Sequence, residues 1–239
     1  MENGGGRNGA SGKEPGQRPR RATVYSLIVG MAFIALIAVA GINTISTKNK
    51  GVLGATNEDD APLEQFAVPN ARTGASGDAN IAQDDCDAAR IPCPSGNRRT
   101  PACRVDVPGA LRVCDFFGRP LVLSFWFTRG GDCEDQEDVF ERAYRRYRSE
   151  VNFLAVDVRD SASEVQDLIR SHHWTHPVGL DRDGALSNLY RVGGCPTFVY
   201  AYPGGIFQAT SIGRLDDQQF FAKVDHLISA SKQRAATVR

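Results

Sequence analysis

The sequence carries no excess of either charge, since its 28 lysine and arginine residues equal its 28 aspartate and glutamate residues. Because nucleic acids attract basic surfaces, this balance gives no electrostatic case for a nucleic-acid partner. The sequence also has no internal repeat and no nucleotide-binding glycine signature. Its Gly130-Gly131 pair is too short to argue for phosphate binding. We therefore expect a protein without a nucleotide cofactor and without nucleic acid as a partner.

Metal-ligand spacing is also missing. His172, His173 and His176, together with Asp181, are the nearest approach to a cluster. No cysteine or carboxylate spacing completes a zinc site around them. We interpret these histidines as part of a solvated loop, and we expect no metal ion and no other cofactor.

Apolar residues are sparse before Thr23 and between Asn57 and Ala110. Residues 1–21 are Gly-rich and polar, a composition that predicts a disordered tail. Residues 47–84 are rich in Gly, Ala, Asn and Asp, which predicts a flexible stalk. A folded domain is predicted over residues 85–235, including a cysteine-rich N-terminal extension.

Residues 22–46 predict a single transmembrane anchor. The run from Ala22 to Ile45 contains 24 residues and no charge, which is long enough to cross a bilayer. Arginines before it favour a cytoplasmic N-terminus, so the following domain is expected outside the cell membrane, with the lipid bilayer as a partner of residues 22–46. The alternative is a cleavable signal peptide, because Ala38-Val39-Ala40 fits a cleavage site. Both interpretations export the domain.

Six cysteines in an exported chain are expected to be paired rather than free. Four lie in the poorly apolar extension, where structural disulfides could hold it in place: Cys86, Cys93, Cys103 and Cys114. The other two, Cys133 and Cys195, lie farther along the chain. Their surroundings indicate a different use.

The apolar pattern predicts alternating strands and helices. Leu121 to Phe127 reads as a strand, a short loop follows, and a helix then opens at Asp132 and Cys133. Further elements are predicted as strands over 151–158, 177–181, 197–201 and 205–209, and helices over 161–172, 185–190 and 217–229. This order suits a mixed sheet with helices on both faces.

Two motifs carry a resemblance to a known family. Phe125-Trp126 ends the central strand, and Cys195-Pro196 precedes a strand of β-branched and aromatic residues. Together they resemble the thioredoxin-like fold, and within it the membrane-anchored extracytoplasmic thiol-disulfide oxidoreductases of the TlpA and cytochrome c maturation type. The resemblance runs from near Cys114 to the C-terminal helix. It implies an α/β thioredoxin-like mixed sheet flanked by helices, here preceded by one transmembrane helix, and a cis peptide bond before Pro196.

The chain departs from that family at the redox motif. The family's Cys-x-x-Cys would occupy positions 130 to 133, but Gly130 replaces the first cysteine. A two-cysteine cycle within one helical turn is therefore excluded. Cys133 alone would be disfavoured as a nucleophile, because nearby carboxylates raise a thiol's pKa where the helix N-terminus lowers it. Those carboxylates belong to Asp132, Glu134, Asp135, Glu137 and Asp138.

Cys195 occupies the position that faces the redox motif in the resembled fold. We therefore predict a non-adjacent catalytic pair, Cys133 with Cys195, that exchanges disulfides with extracytoplasmic protein thiols. The resemblance further implies that substrate is bound by Trp126, Arg129, Gly130 and Pro196. Ser124 stands where thioredoxins carry a buried carboxylate, which fits an altered redox function.

Two alternatives remain open. In one, the cysteines form a permanent bridge or stay as buried thiols, and the domain is a non-catalytic binding or scaffold module that keeps the groove beside Pro196. In the other, Thr128 and Cys133 belong to a peroxiredoxin-like peroxidase. Against this second alternative, the two residues are five positions apart rather than three, and no proline precedes Thr128 at the required spacing.

Overall fold

The computed structural model describes residues 29–31, 60–75, 79, 81–82, 100–129 and 133–237. It divides the chain into two compact units, residues 1–48 and 49–239. In the first unit, residues 29–31 are helical and expose Val29 and Met31. Within the described ranges, no helix has the length and apolar character needed to span a bilayer. The predicted tail 1–21, and the predicted anchor 22–46 apart from those three residues, lie outside the described residues.

The described part of the second unit contains two sheets. The smaller one has three antiparallel strands in the order β2-β1-β3, which are β1 (Phe66–Pro69), β2 (Ile81–Ala82) and β3 (Ala110–Arg112). The larger one is built from β4 (Leu121–Trp126), β5 (Asn152–Val158), β6 (Val178–Asp181), β7 (Thr197–Tyr202) and β8 (Ile206–Ile212). Its order is β6-β5-β4-β7-β8, with β4 parallel to β5 and antiparallel to β7. The predicted mixed sheet is thus present.

Within the described residues of this unit, four α-helices accompany the sheets: α1 (Glu134–Tyr147), α2 (Ala162–Ser171), α3 (Ala185–Leu189) and α4 (Asp217–Thr237). The predicted cap of α2 is observed, because the Ser161 side chain accepts a hydrogen bond from the Glu164 backbone amide at 3.2 Å. Helix α4 runs eight residues beyond the predicted end at 229, to Thr237. Its buried face continues through Ser231, so the helix remains packed on the sheet past the predicted end.

Strand β4 is the middle strand of the five-stranded sheet, and it is buried on both faces. Successive side chains of a strand point to opposite faces, and β4 follows this alternation. Leu123 and Phe125 pack in one core with Phe66 of β1, whereas Val122 and Trp126 pack in the other. The second core also holds the buried faces of α1 and α4. The end of β4 is therefore fixed from both sides.

The predicted flexible stalk, residues 47–84, is wrong over residues 60–75. Phe66 and Val68 are buried, so this segment contributes apolar side chains to a core of the domain. The Leu63 amide donates to the Gly205 carbonyl at 2.7 Å, and the Ala71 amide donates to the Val178 carbonyl at 2.8 Å. The folded domain therefore begins well before residue 85.

The cysteine-rich extension is closed by a disulfide between Cys103 and Cys114, two of the four cysteines predicted to carry structural bridges. The bridge links two short 3-10 helices, Ala102–Arg104 and Val113–Phe116, on either side of β3. Cys86 and Cys93 lie outside the described residues. Their pairing stays a prediction.

Candidate functional site

The site centres on a second disulfide, between Cys133 and Cys195. Cys133 is the N-cap residue of α1, and Cys195 lies in the loop that leads into β7. The two residues are 62 positions apart in the chain, yet their Cα atoms are 6.0 Å apart. The structure thus brings together the pair that was predicted to act jointly.

The loop carrying Cys195 is fixed by its own hydrogen bonds. The peptide bond between Cys195 and Pro196 is cis, as predicted. The Pro196 carbonyl accepts from the Gly213 amide at 2.9 Å, and the Thr197 hydroxyl donates to the Gly194 carbonyl at 2.6 Å. Cys195 is therefore held on both sides in a defined position.

The two sulfur-bearing residues differ in exposure. Cys133 is only 4% exposed and belongs to a buried core, whereas Cys195 is half-buried at the edge of that core. The Cys195 Sγ lies 3.8 Å from the Phe127 carbonyl oxygen. Cys195 is therefore the more exposed residue of the bridge.

The other residues predicted to contact substrate differ in their exposure to solvent. Trp126 is fully buried and packs edge-to-face against Trp174, with ring centroids 5.5 Å apart. Its assignment as a substrate contact is therefore corrected, because a fully buried indole presents no surface. Arg129 has a side chain that is 78% exposed and lies 3.6 Å from Asp160. Pro196 is buried beside the bridge, and Gly130 lies outside the described residues.

Two of the carboxylates near Cys133, those of Asp135 and Asp138, are engaged with partners. Asp135 pairs with Arg214 at 3.1 Å. Asp138 accepts a hydrogen bond from the Trp174 indole at 2.6 Å. These carboxylates are partly compensated, so they oppose a Cys133 thiolate less than the sequence pattern indicated.

A buried carboxylate, that of Glu137, lies beside Ser124 at the centre of the domain. Its hydroxyl donates to Glu137 Oε1 at 2.6 Å, and both side chains are fully buried. The acidic group thus comes from helix α1 rather than from strand β4. Sequence reasoning missed this role, although Glu137 follows Cys133 by four residues and so lies on the same helical face.

His176 belongs to the same buried network, which corrects its interpretation as a solvated loop residue. It is fully buried, with Nδ1 2.8 Å from Glu141 Oε2 and Nε2 3.4 Å from Glu137 Oε2. Burial opposes its charged form, but the close contacts of His176 with the Glu137 and Glu141 carboxylates, and their negative charges, outweigh burial and raise the pKa of His176. Burial also acts against the Glu141 carboxylate, but hydrogen bonds from His176, Thr175 and Arg145 lower the pKa of Glu141 overall. This network ties α1 to the loop before β6.

The remaining members of the histidine loop serve separate purposes. His172 Nδ1 lies 3.0 Å from Asp138. Asp181 is buried and accepts from the Ser187 amide at 2.8 Å, at the start of α3. Within the part of the chain that the structure describes, no group of three His, Cys, Asp or Glu side chains is arranged to hold a metal ion.

A second buried acidic pair lies at the end of β5. Burial, and a side-chain hydrogen bond that protonated Asp157 donates to the Asp160 carboxylate, raise the pKa of Asp157 to about 9. Asp160 in turn accepts from the Thr128 backbone amide at 2.7 Å and from the Thr128 hydroxyl at 3.0 Å. Thr128 is thus bound to Asp160, which does not support the peroxidase alternative that paired it with Cys133.

A family model described as the AhpC/TSA family matches residues 105–207. Among curated proteins, the thiol-disulfide oxidoreductase ResA of Oceanobacillus iheyensis is 26% identical over 106 residues, which cover 44% of this chain and 55% of that protein. ResA of Geobacillus kaustophilus is 31% identical over 87 residues, covering 36% and 50%. The chain spans about half the length of the curated relatives it matches.

Solved structures share the architecture. A thiol:disulfide interchange protein DsbE from Chlorobium tepidum is 16% identical, with a TM-score of 0.53 over 74% of this chain and 99% of that chain. A protein disulfide isomerase from Bacteroides thetaiotaomicron is 13% identical, with a TM-score of 0.51 over 73% and 91%. At these identities the likeness shows the thioredoxin-like fold alone.

Proposed function

Because residues 105–207 form a thioredoxin-like domain of the AhpC/TSA family, similar to the ResA-type thiol-disulfide oxidoreductases, we propose that this protein exchanges disulfides with protein thiols, using Cys133 and Cys195 as its redox couple. The observation that carries the proposal is the bridge between the N-terminus of α1 and the loop before β7. The bridge provides a pair of cysteines although Gly130 replaces the first cysteine of the Cys-x-x-Cys motif.

Exchange by this pair would proceed without a cofactor. A substrate thiolate attacks one sulfur of the bridge, the Cys133–Cys195 bond breaks, and the other sulfur leaves as a thiolate. A second substrate thiolate then attacks the mixed disulfide and releases an oxidised substrate. Two electrons pass from the substrate thiols to the cysteine pair. The opposite direction reduces a substrate disulfide by the same steps.

We further propose that the domain lies outside the cell membrane and is anchored by residues 22–46, with the N-terminus in the cytoplasm. The uncharged run 22–45 and the arginines before it support this placement. Extracytoplasmic protein thiols would then be the substrates. Protease added to intact cells should degrade the domain but leave residues 1–21 protected, and protection of the domain would contradict the placement.

Disulfide mapping of the purified protein across a series of glutathione potentials tests the redox proposal. A bridge between Cys133 and Cys195 should open at a mild potential, and insulin reduction should be lost when either cysteine is replaced by serine. If the bridge persists at potentials where the glutathione pool reduces ordinary exchange proteins, the proposal is wrong.

A non-catalytic binding module is the second candidate. The near-complete burial of Cys133 favours it, because a buried sulfur suits a permanent link between α1 and the loop before β7. The same titration separates the two functions. Binding of extended peptides that persists in a Cys133→Ser, Cys195→Ser double variant, without any exchange by the wild type, would establish the module.

A further inference from the structure

We propose that Cys195 is the sulfur attacked by the substrate thiolate, and that Cys133 is the thiol that resolves the mixed disulfide. This inference rests on the proposed function and adds a direction to it. The first cysteine to react would then lie before β7 rather than at the start of a helix. The arrangement reverses the order expected for a motif whose reactive cysteine opens α1.

The unequal burial of the two residues is the first argument. Disulfide exchange requires the incoming thiolate to contact the sulfur that it attacks. Cys133 is 4% exposed and lies in the core with Trp126 and Phe140, so a substrate sulfur cannot approach it without displacing packed side chains. Cys195 is half-buried at the edge of that core, so it is the more exposed of the two residues.

The position of Cys133 as leaving group is the second argument. Attack on Cys195 releases Cys133 as a thiolate at the N-cap of α1, where the Cys133 side chain makes no capping hydrogen bond in the bridged form. Unpaired amides and the helix dipole stabilise negative charge at such a position. Attack on Cys133 would instead release Cys195 as the thiolate, in a loop without a following helix. The charge that develops during exchange is therefore better stabilised when Cys133 leaves.

The described acidic groups near Cys133 act on this release to different degrees. Asp135 is paired with Arg214, and one oxygen of Glu137 accepts from Ser124. Glu134 Oε2 and Glu137 Oε2 are buried without a hydrogen-bond partner, although Glu137 Oε2 lies 3.4 Å from His176 Nε2. Among the described first-turn residues, Glu134 therefore opposes the thiolate most directly, while the charges of Asp135 and Glu137 are offset by Arg214 and His176.

The steps balance as follows. Substrate R–S⁻ bonds to Cys195 Sγ, the bond between Cys195 and Cys133 breaks, and its electron pair stays on Cys133 Sγ. A second thiolate R′–S⁻ attacks the sulfur of R, releasing R–S–S–R′ and a Cys195 thiolate. When the reduced protein meets a substrate disulfide, Cys195 attacks first. Cys133 then attacks Cys195 Sγ, re-forms the bridge and releases the second substrate thiolate.

The test uses the full chain with glutathione as the probe. The wild type in its oxidised form is exposed briefly to reduced glutathione, quenched in acid, alkylated with N-ethylmaleimide and mapped by mass spectrometry. We expect glutathione on Cys195 and N-ethylmaleimide on Cys133, with at least a tenfold excess over the opposite pattern. Glutathione mainly on Cys133 would overturn the inference while leaving the proposed function intact.

Single variants supply a second measurement. With oxidised glutathione, Cys133→Ser should be modified on Cys195 at least tenfold faster than Cys195→Ser is modified on Cys133. Equal rates, with circular dichroism showing both variants folded, would overturn the inference. If the wild-type bridge exchanges with neither glutathione nor a peptide thiol, both the inference and the proposed function are overturned.

Discussion

The two disulfides within the described part of the domain join different kinds of structure. The outer bridge links Cys103 to Cys114, 11 residues apart, in an extension of short helices and one short strand. The inner bridge links Cys133 to Cys195, 62 residues apart, and connects a long helix to a strand of the central sheet. Each outer cysteine is half-buried, whereas the inner bridge has one buried and one half-buried cysteine. The difference separates a bridge that closes a short extension from one that, under the proposed function, is attacked at a single end.

We expect the inner bridge to be reduced more easily than the outer one, but chain entropy alone predicts the reverse. By the loop-closure relation, a loop of 11 residues contributes about 3 kcal/mol and a loop of 62 residues about 4 kcal/mol. If entropy decided the matter, the inner bridge would be the harder one to reduce. Opening of the inner bridge first would therefore indicate that the folded domain stabilises its reduced thiols.

The largest expected effect is the loss of activity when the inner bridge is removed. Replacing Cys133 or Cys195 by serine should lower insulin reduction by at least 100-fold, because neither sulfur can complete the cycle alone. The matched control is the Cys103→Ser, Cys114→Ser double variant, which should retain most of the activity at a temperature where it is folded. Comparable losses in all three variants would mean that both bridges are structural.

The stability of the outer bridge gives the next effect. Its removal by the same double variant should lower the free energy of unfolding by about 3 kcal/mol, measured by urea denaturation. In a glutathione titration of the wild type, this bridge should persist after the inner bridge has opened. Reduction of the outer bridge first would remove the distinction between the two.

The region around the inner bridge and the region around the outer bridge also differ in their buried ionisable groups. Asp157 and His176 are buried in the central domain, whereas the small cluster of the extension, with Ala102 and Val105, is apolar. The pKa of Asp157 is raised from 3.8 to about 9, so the folded protein holds a proton that the unfolded chain loses. Its contribution to stability falls as pH rises from 3.8 to about 9. We expect Asp157→Asn to stabilise the domain at pH 8 by on the order of 2 kcal/mol, measured by denaturant unfolding at pH 5 and pH 8.

His176 acts in the same direction for a different reason. Its raised pKa means that its contribution is fully present below the unfolded value of 6.5 and is lost as pH rises through the folded value. Asp157→Asn should therefore reduce the pH dependence without abolishing it. Asp167 is exposed, so Asp167→Asn is the control and should leave the pH dependence of the free energy of unfolding unchanged. A slope unchanged in Asp157→Asn as well would show that Asp157 ionises normally in the folded domain.

The smallest expected effect concerns the surface beside Cys195. Ile212 is 37% exposed and closely approaches Gly194, since a Cβ added at that glycine would lie 2.9 Å from Ile212 Cγ2. Ile212→Ser should slow exchange with an apolar cysteine peptide about threefold by removing apolar contact, and should not change exchange with glutathione. Gln208→Ser on the same strand is the control. Equal slowing with both thiols would indicate a general disturbance of the loop.

The sequence predicts the central domain well because local patterns determine it. Strand β4 and helix α1 follow from continuous apolar and period-3.6 patterns, and the cap of α2 follows from Ser161 and Glu164. Cys133 and Cys195 could be paired in advance because two motifs of the resembled fold place them together.

Other features depend on contacts that a local pattern does not contain. Strand β1 is only four residues long and ends in Pro69, so its burial depends on a core built mainly from later residues. The ion pair of His176 with Glu141 joins residues 35 positions apart. The burial of Trp126 likewise depends on Trp174, which arrives from the loop before β6. Such long-range pairings are set by the assembled fold.

Residues 60–75 have a consequence for self-association. Strands β6 and β8 are the two outermost strands of the five-stranded sheet, and such strands present unpaired amide and carbonyl groups that template pairing with another chain. Pro62 bridges to Ile206 at one margin, and Asn70 bridges to Gly179 at the other. A single N-terminal segment therefore pairs with both margins of the sheet, at one residue of each edge strand. Proteolysis that removed it would free the domain from any anchor and, in the same cut, leave it prone to edge-to-edge aggregation.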